Sequence, residues 1–163
     1  MISFEKFISQ SSNFSIYIHD YNVLSCSIDF NLDFGKDLKY CEDCNAMILN
    51  TFETKGEILI YTDGSKIPSN LSVGTALICP SLGIQKCNKV FSLASIFTAE
   101  YMAINDALDI TLKNKDHIYN IFTDCLSVLQ SLKSPRIDAK LNPYILQIKK
   151  KFIDFQKEIH QIT

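Results

Sequence analysis

The sequence predicts a mixed α/β domain, with helices flanking one sheet that is partly antiparallel and partly parallel. Residues 58–62 are apolar on both faces of a strand, as in the centre of a sheet. Two more strand patterns, 73–79 and 85–93, follow across a turn containing Pro and Gly, which predicts a three-stranded antiparallel meander. A helical pattern at 96–113 then leads to a fourth strand at 119–123, and a crossover of this kind joins parallel neighbours.

Helix boundaries follow from capping residues and prolines. Ser95 stands where it can cap the long helix that begins at the next residue. A short helix at 126–132 is expected to end before Pro135, because the residue before a proline disfavours helical geometry. The Asn-Pro pair at 142–143 supplies a cap and a first-turn proline for a last helix that runs to about residue 157.

The N-terminal third is predicted to be a separate linker or accessory segment, residues 1–55, preceding a domain at 56–163. Alternating patterns between residues 13 and 30 are compatible with a hairpin. Residues 36–53 keep a helical period, and Gly56 is a natural helix stop.

Composition and charge narrow the classes of function. The chain has 163 residues, of which 47% are hydrophobic and 21% charged, as in a globular domain with a real core. Its formal net charge is -2, so bulk charge does not draw it to nucleic acid, and binding would need a local basic patch or metal ions. The dense basic run at 149–151 is predicted to be a solvated helix face, with contact to a phosphate backbone as the alternative.

The N-terminal residues and the cysteines indicate an intracellular protein, cytoplasmic or nuclear and not secreted. Glu5 interrupts any apolar signal core, and no apolar run is long enough to span a membrane. We therefore expect the six cysteines to be reduced thiols. Cys41 and Cys44 form a CxxC pair, but without a second pair at a fitting distance a structural role is favoured over a zinc module.

Three acids are set into otherwise apolar elements. Asp63 follows the first strand, Asp124 follows the fourth, and Glu100 lies on the inward stripe of the long helix. The first and fourth strands are predicted to be parallel neighbours, so the two aspartates should share one edge of the sheet. An acid on a buried face should be paired or metal-bound.

Ordinary explanations exist for two of these acids. Asp63 and Gly64 could form a turn after the strand. Asp124 could be the N-cap of the following helix. Glu100 has no such explanation, because no Lys or Arg lies one turn away on its face of the helix. Together the three carboxylates predict a site for a divalent metal ion.

The motifs around these acids resemble ribonuclease H of type I, in the form found in non-LTR retrotransposon polyproteins. The resemblance lies in Thr-Asp-Gly-Ser at 62–65, Ala-Glu at 99–100 and Thr-Asp at 123–124, and covers about residues 57–157. Cys125 replaces the serine usual after the second Asp. The resemblance implies a ribonuclease H-like fold that hydrolyses the RNA strand of RNA–DNA hybrids.

The same resemblance implies roles for individual residues. Asp63, Glu100 and Asp124 would be both catalytic residues and ligands of two Mg2+ or Mn2+ ions, with Asp63 bridging the pair. Gly64, Ser65 and Lys66 would contact the nucleic acid. The implied partner is an RNA–DNA hybrid, with no membrane partner, and the sequence does not indicate an oligomeric state.

The sequence departs from the family pattern near its end. The family adds a further strand, a loop His and a fourth carboxylate, and neither Asp154 nor His160 matches those positions. We therefore expect an incomplete domain with weak or no cleavage by these residues alone. The competing hypothesis is a catalytically inactive ribonuclease H fold that serves as a binding or structural module.

Overall fold

The structure is a computed structural model that describes residues 30–31, 33–34, 42–67, 69, 72–113, 117–134 and 142–160, the last six without their side chains. It divides into two compact units. One is Asn31–Gln130, and the other combines Met1–Phe30 with Ser131–Thr163. The predicted hairpin within residues 13–30 lies outside the described residues, apart from Phe30.

The described sheet has four strands in the order β3-β2-β1-β4. Their bounds are Ile58–Ile67 for β1, Ser72–Cys79 for β2, Ile84–Val90 for β3 and Tyr119–Phe122 for β4. The pairs β1–β2 and β2–β3 are antiparallel, whereas β1 and β4 are parallel. The predicted mixed sheet, a meander plus one parallel strand, is confirmed.

Helices complete this mixed α/β architecture. They are α1 at Cys44–Phe52, followed by a 3-10 turn at Glu53–Lys55, then α2 at Ile96–Lys113, α3 at Leu126–Lys133 and α4 at Pro143–His160. None of the helices in the described part of the chain is long and apolar enough to cross a membrane.

Two predicted helix starts are confirmed by their capping bonds. The Ser95 hydroxyl oxygen accepts a hydrogen bond from the Thr98 backbone N–H at 3.0 Å. The Asn142 side-chain oxygen accepts one from the Tyr144 backbone N–H at 3.1 Å, with Pro143 as the first helical residue. Each bond satisfies a backbone donor that the first turn leaves without a helical partner.

Strand β1 is longer than predicted and contains Asp63. The strand continues to Ile67 because its second half pairs with β2, from Asp63 opposite Ala76 to Ile67 opposite Ser72. The interpretation of Asp63 and Gly64 as a turn is therefore wrong. Strand β3 is shorter than predicted and ends at Val90.

Helix α1 begins later than predicted. The pattern placed a helix at residues 36–53, whereas the described helix starts at Cys44. Asp43 is the N-cap of this helix, because its side chain accepts a hydrogen bond from the Ala46 backbone N–H at 2.9 Å. Residues 35–41, including Cys41 of the CxxC pair, lie outside the described part, and Cys44 is exposed.

The predicted boundary at residues 55 and 56 cuts through a compact unit. Phe34 and Phe52 pack edge to face with ring centroids 5.3 Å apart, and Phe52 packs on Phe122 of β4 at 5.6 Å. Tyr61 of β1 stacks on the same Phe122 ring at 5.2 Å. Residues before the first strand therefore contribute aromatic packing to the core around the sheet.

The opposite face of β1 packs on α2. Alternate residues of a strand share a face, and the apolar ones on this face meet the inward stripe of the helix. The buried members are Ile58, Ile60, Leu77, Cys79, Ala107 and Ile110. This packing fixes the distance between β1 and α2, the two elements that carry Asp63 and Glu100.

Lysine 149 of α4 is not part of a solvated face. Its side chain is 1% exposed, and its ammonium donates a hydrogen bond to the Ser134 carbonyl oxygen at 2.7 Å. Burial lowers the pKa of Lys149 to about 8. Lys150 is exposed, so the interpretation of the run as one solvated face is wrong only in part.

Candidate metal centre

The parallel register of β1 and β4 brings two aspartates together. The last paired residues are Tyr61 and Phe122, and Asp63 and Asp124 each stand two residues further along their own chain. The Thr62 hydroxyl donates to the Phe122 carbonyl oxygen at 3.0 Å and holds the segments together past the end of β4. The predicted proximity of the two aspartates is confirmed.

Helix α2 adds the third carboxylate. Glu100 is 4% exposed, whereas Asp63 and Asp124 are exposed. One oxygen from each of the three side chains lies within 4.8 Å of the other two. The acids that the sequence singled out therefore form one cluster with a buried floor and an open rim.

The floor of this cluster is electrostatically unfavourable for the apoprotein. One oxygen of Glu100, Oε2, is buried and has no hydrogen-bond partner among the described residues. The pKa of Glu100 is raised to about 7, mainly by burial and to a smaller extent by the charges of Asp124 and Asp63, while the Gly64 backbone N–H lowers it in part. An unpaired buried carboxylate beside two more is a site that gains from a cation.

Gly64 lies against the backbone of α2. A Cβ atom added to it would stand 2.8 Å from the Ala99 carbonyl carbon and 2.9 Å from the Glu100 Cα, and would also contact the Glu100 nitrogen. The sequence interpretation assigned Gly64 to nucleic-acid contact and missed this packing role. The sequence carried no signal for it, because the predicted strand ended at residue 62 and left Gly64 outside it.

Asp124 is not the N-cap of α3. The backbone carbonyl of Cys125 accepts from Val128 at 3.1 Å and from Leu129 at 3.3 Å, so Cys125 occupies the capping position. The Cys125 backbone N–H in turn donates to the Thr123 hydroxyl at 3.2 Å. The alternative explanation for Asp124 is therefore wrong, and its carboxylate faces the other two acids.

The residues predicted to contact nucleic acid are not equally exposed to solvent. Ser65 is exposed. The Lys66 ammonium donates to the Ala94 carbonyl oxygen at 2.9 Å and is half-buried, which ties the end of β1 to the loop before α2. Contact of these residues with nucleic acid stays a prediction, and Ser65 is better placed for it than Gly64.

The cluster fits a hard divalent cation. Its donors are carboxylate oxygens with no Cys or His among them, and oxygen ligands suit Mg2+ and Mn2+. Oxygens on opposite sides of a Mg2+ ion lie roughly 4.2 Å apart. Adjacent ligand oxygens lie closer still, roughly 3 Å apart, so a spread of up to 4.8 Å leaves room for one ion, and the side chains must close around it. A bound cation would stabilise most the Oε2 atom of Glu100, which is buried without a partner among the described residues.

Metal binding by this cluster should weaken in acid. Glu100 must lose its proton to bind a cation, and its pKa lies at about 7. Below that pH, the apparent affinity for Mg2+ should fall roughly tenfold per pH unit; above it, the affinity should level off. Calorimetric titrations with Mg2+ at about pH 6 and about pH 8 test this, and equal affinities would contradict it.

Comparison with models of known protein families and with curated proteins gives no match for this sequence. The assignment of a function therefore depends on the cluster, the strands that carry it and the motifs around it.

Proposed function

We propose that this chain carries a ribonuclease H domain of type I, a metal-dependent endonuclease for the RNA strand of RNA–DNA hybrids. The strand order supports the proposal, because a three-stranded antiparallel meander followed by a helix and a parallel strand is the arrangement expected for that fold. The Thr-Asp-Gly-Ser and Ala-Glu motifs support it too, since each provides one carboxylate of the cluster.

The observation that carries the proposal is the convergence of three carboxylates from three elements. Asp63 lies in β1, Glu100 in α2 and Asp124 directly after β4, and their oxygens approach within 4.8 Å. Exposed acidic groups cluster in many proteins, but a buried glutamate with an unpartnered oxygen among them is costly. A cation bound at the cluster would offset this unfavourable free energy.

The three carboxylates would hold Mg2+ or Mn2+, which supplies charge stabilisation to the attacking and leaving oxygens of a phosphodiester. Gly64 packs closely on the backbone at Glu100, and the packing of β1 on α2 leaves the Glu100 side chain only 4% exposed. The exposed rim leaves Asp63 and Asp124 open to a substrate.

Selection of an RNA strand would depend on its 2′-hydroxyl groups. Ser65 is an exposed hydroxyl two residues from Asp63 on the same face of β1, and it can donate to or accept from a 2′-hydroxyl. The net charge of -2 gives no general attraction for phosphates, so the bound metal ions would provide much of the affinity.

Cleavage of an end-labelled RNA–DNA hybrid tests the proposal. Three carboxylates hold one ion better than two, so we expect slow cleavage, best seen with Mn2+ and with protein in excess over hybrid. The RNA strand should be cut to products with 3′-hydroxyl and 5′-phosphate ends, and duplex DNA of the same sequence should stay intact at matched salt. Asp124→Asn should abolish the cuts.

The outcomes separate the two candidate functions. Metal-dependent binding of the hybrid without any cleavage would favour the inactive binding module. Equal binding to hybrid and duplex DNA at matched salt would count against a ribonuclease H and would indicate a generic nucleic-acid module.

A further inference from the structure

Gly64 connects the two elements that determine the width of the metal centre. Asp63 is its neighbour in β1 and moves with that strand, whereas Glu100 moves with α2. The contact between Gly64 and the Ala99–Glu100 backbone is where strand and helix meet at this level. The separation of the two carboxylates therefore follows from how closely Gly64 lets the helix approach.

The Glu100 carboxylate is buried beside this contact. The residue is 4% exposed, and its Oε2 atom is buried without a partner among the described residues. The closeness of strand and helix at Gly64 therefore fixes how near this carboxylate lies to the aspartates.

We propose that Gly64 is a positioning residue that sets the size of the metal centre and makes it prefer Mg2+ over the larger Ca2+. The inference rests on the proposed metal site. A Cβ at this position would overlap the Glu100 nitrogen most closely, so strand and helix must separate by more than the change from 2.8 Å to 3.4 Å that the Ala99 carbonyl carbon alone requires, which widens the centre. Metal–oxygen distances differ by about 0.2–0.6 Å between the two ions, so a shift of this size or larger disfavours the smaller ion.

The test compares Mg2+ and Ca2+ affinities of wild type and Gly64→Ala by calorimetry at one pH and salt. In the variant the Kd for Mg2+ should rise tenfold or more, whereas the Kd for Ca2+ should change less than threefold. A merely destabilised fold would weaken both ions by the same factor, and circular dichroism reports the folded fraction.

Gly74→Ala is the matched control. Gly74 lies on the neighbouring strand and pairs with Ser65, but a Cβ there would meet nothing closer than the Asn88 carbonyl oxygen at 3.4 Å and the Ser65 Oγ at 3.9 Å. Both affinities should equal those of wild type. A selectivity change in Gly74→Ala equal to that in Gly64→Ala would overturn the inference.

Gly64→Ala is also informative if it does not fold without metal. Refolding with Ca2+ should then recover more native protein than refolding with Mg2+, the reverse of the wild type. Equal recovery with both ions, or recovery with neither, overturns the inference. A wild-type protein that binds no divalent ion refutes the proposed function itself, whereas an unchanged Mg2+ to Ca2+ ratio in folded Gly64→Ala refutes only the role of Gly64.

Discussion

Glu100→Gln should stabilise the metal-free protein by about 2–3 kcal/mol at about pH 8, while removing its affinity for divalent ions. The wild-type carboxylate is buried with one unpartnered oxygen, and its pKa is raised to about 7 from 4.5. The amide keeps the shape of the side chain, can still accept from the Gly64 N–H, and carries no charge to repel Asp63 and Asp124.

The extra stability of Glu100→Gln over wild type should increase with pH. The folded protein binds the Glu100 proton more tightly than the unfolded chain, so wild-type stability falls as pH rises from about 4.5 to about 7. The difference between variant and wild type should therefore be small below about pH 4.5 and complete above about pH 7. Urea unfolding at several pH values, without metal, measures it.

Saturating Mg2+ should make the wild type the more stable protein, since the cation compensates the buried charge of Glu100, whereas the variant keeps only the two exposed carboxylates of Asp63 and Asp124 and binds the ion too weakly to gain stability. Asp106→Asn is the control, because Asp106 lies on the same helix and bonds to Asn88 outside the cluster. A Glu100→Gln protein that is less stable than wild type at about pH 8 would show that the carboxylate is satisfied in the apoprotein.

Asp63→Asn should abolish the stabilisation that Mg2+ gives the folded state. A ligand at 100 times its Kd stabilises a protein by about 2.7 kcal/mol if it binds only the folded form. The wild type should show a rise of this size in its free energy of unfolding, and the variant none. Asp63 is exposed, so the substitution itself should change the stability of the apoprotein by no more than about 0.5 kcal/mol.

The comparison with Asp106→Asn also controls for general charge effects. That variant loses one negative charge, as Asp63→Asn does, but should keep the full response to Mg2+. An Asp63→Asn protein with an undiminished Mg2+ response would remove the cluster as the binding site.

The sheet was predictable because its signals are local. Apolar runs gave the strands, and the capping side chains of Ser95 and Asn142 fixed two helix starts. Strand β1 was predicted too short because the residues that follow its apolar run, Asp63, Gly64 and Ser65, are polar or small. Their pairing with β2 is a tertiary effect that no local pattern shows.

The cluster was predictable in its membership but not in its electrostatics. Parallel neighbours place Asp63 and Asp124 at one edge, so their proximity follows from topology. The unpartnered oxygen of Glu100 and the packing of Gly64 on α2 depend on the distance between helix and strand. The packing of Phe34 and Phe52 in the core was also missed. Phe34 lies before α1 and Phe52 is its last residue, so no single helical or strand period connects the two.

The measurement that tests the central claim most directly is the location of bound Mn2+ by paramagnetic broadening of backbone amide NMR signals. A metal in the cluster should broaden the amides of Gly64, Glu100 and Cys125 first, at low Mn2+, and should affect least the amide of Lys113, which lies about 20 Å from Glu100 at the far end of α2. Excess Mg2+ should restore the signals, and Asp63→Asn should prevent the broadening. Selective broadening elsewhere in the chain, or no selective broadening, would contradict a divalent metal centre formed by Asp63, Glu100 and Asp124.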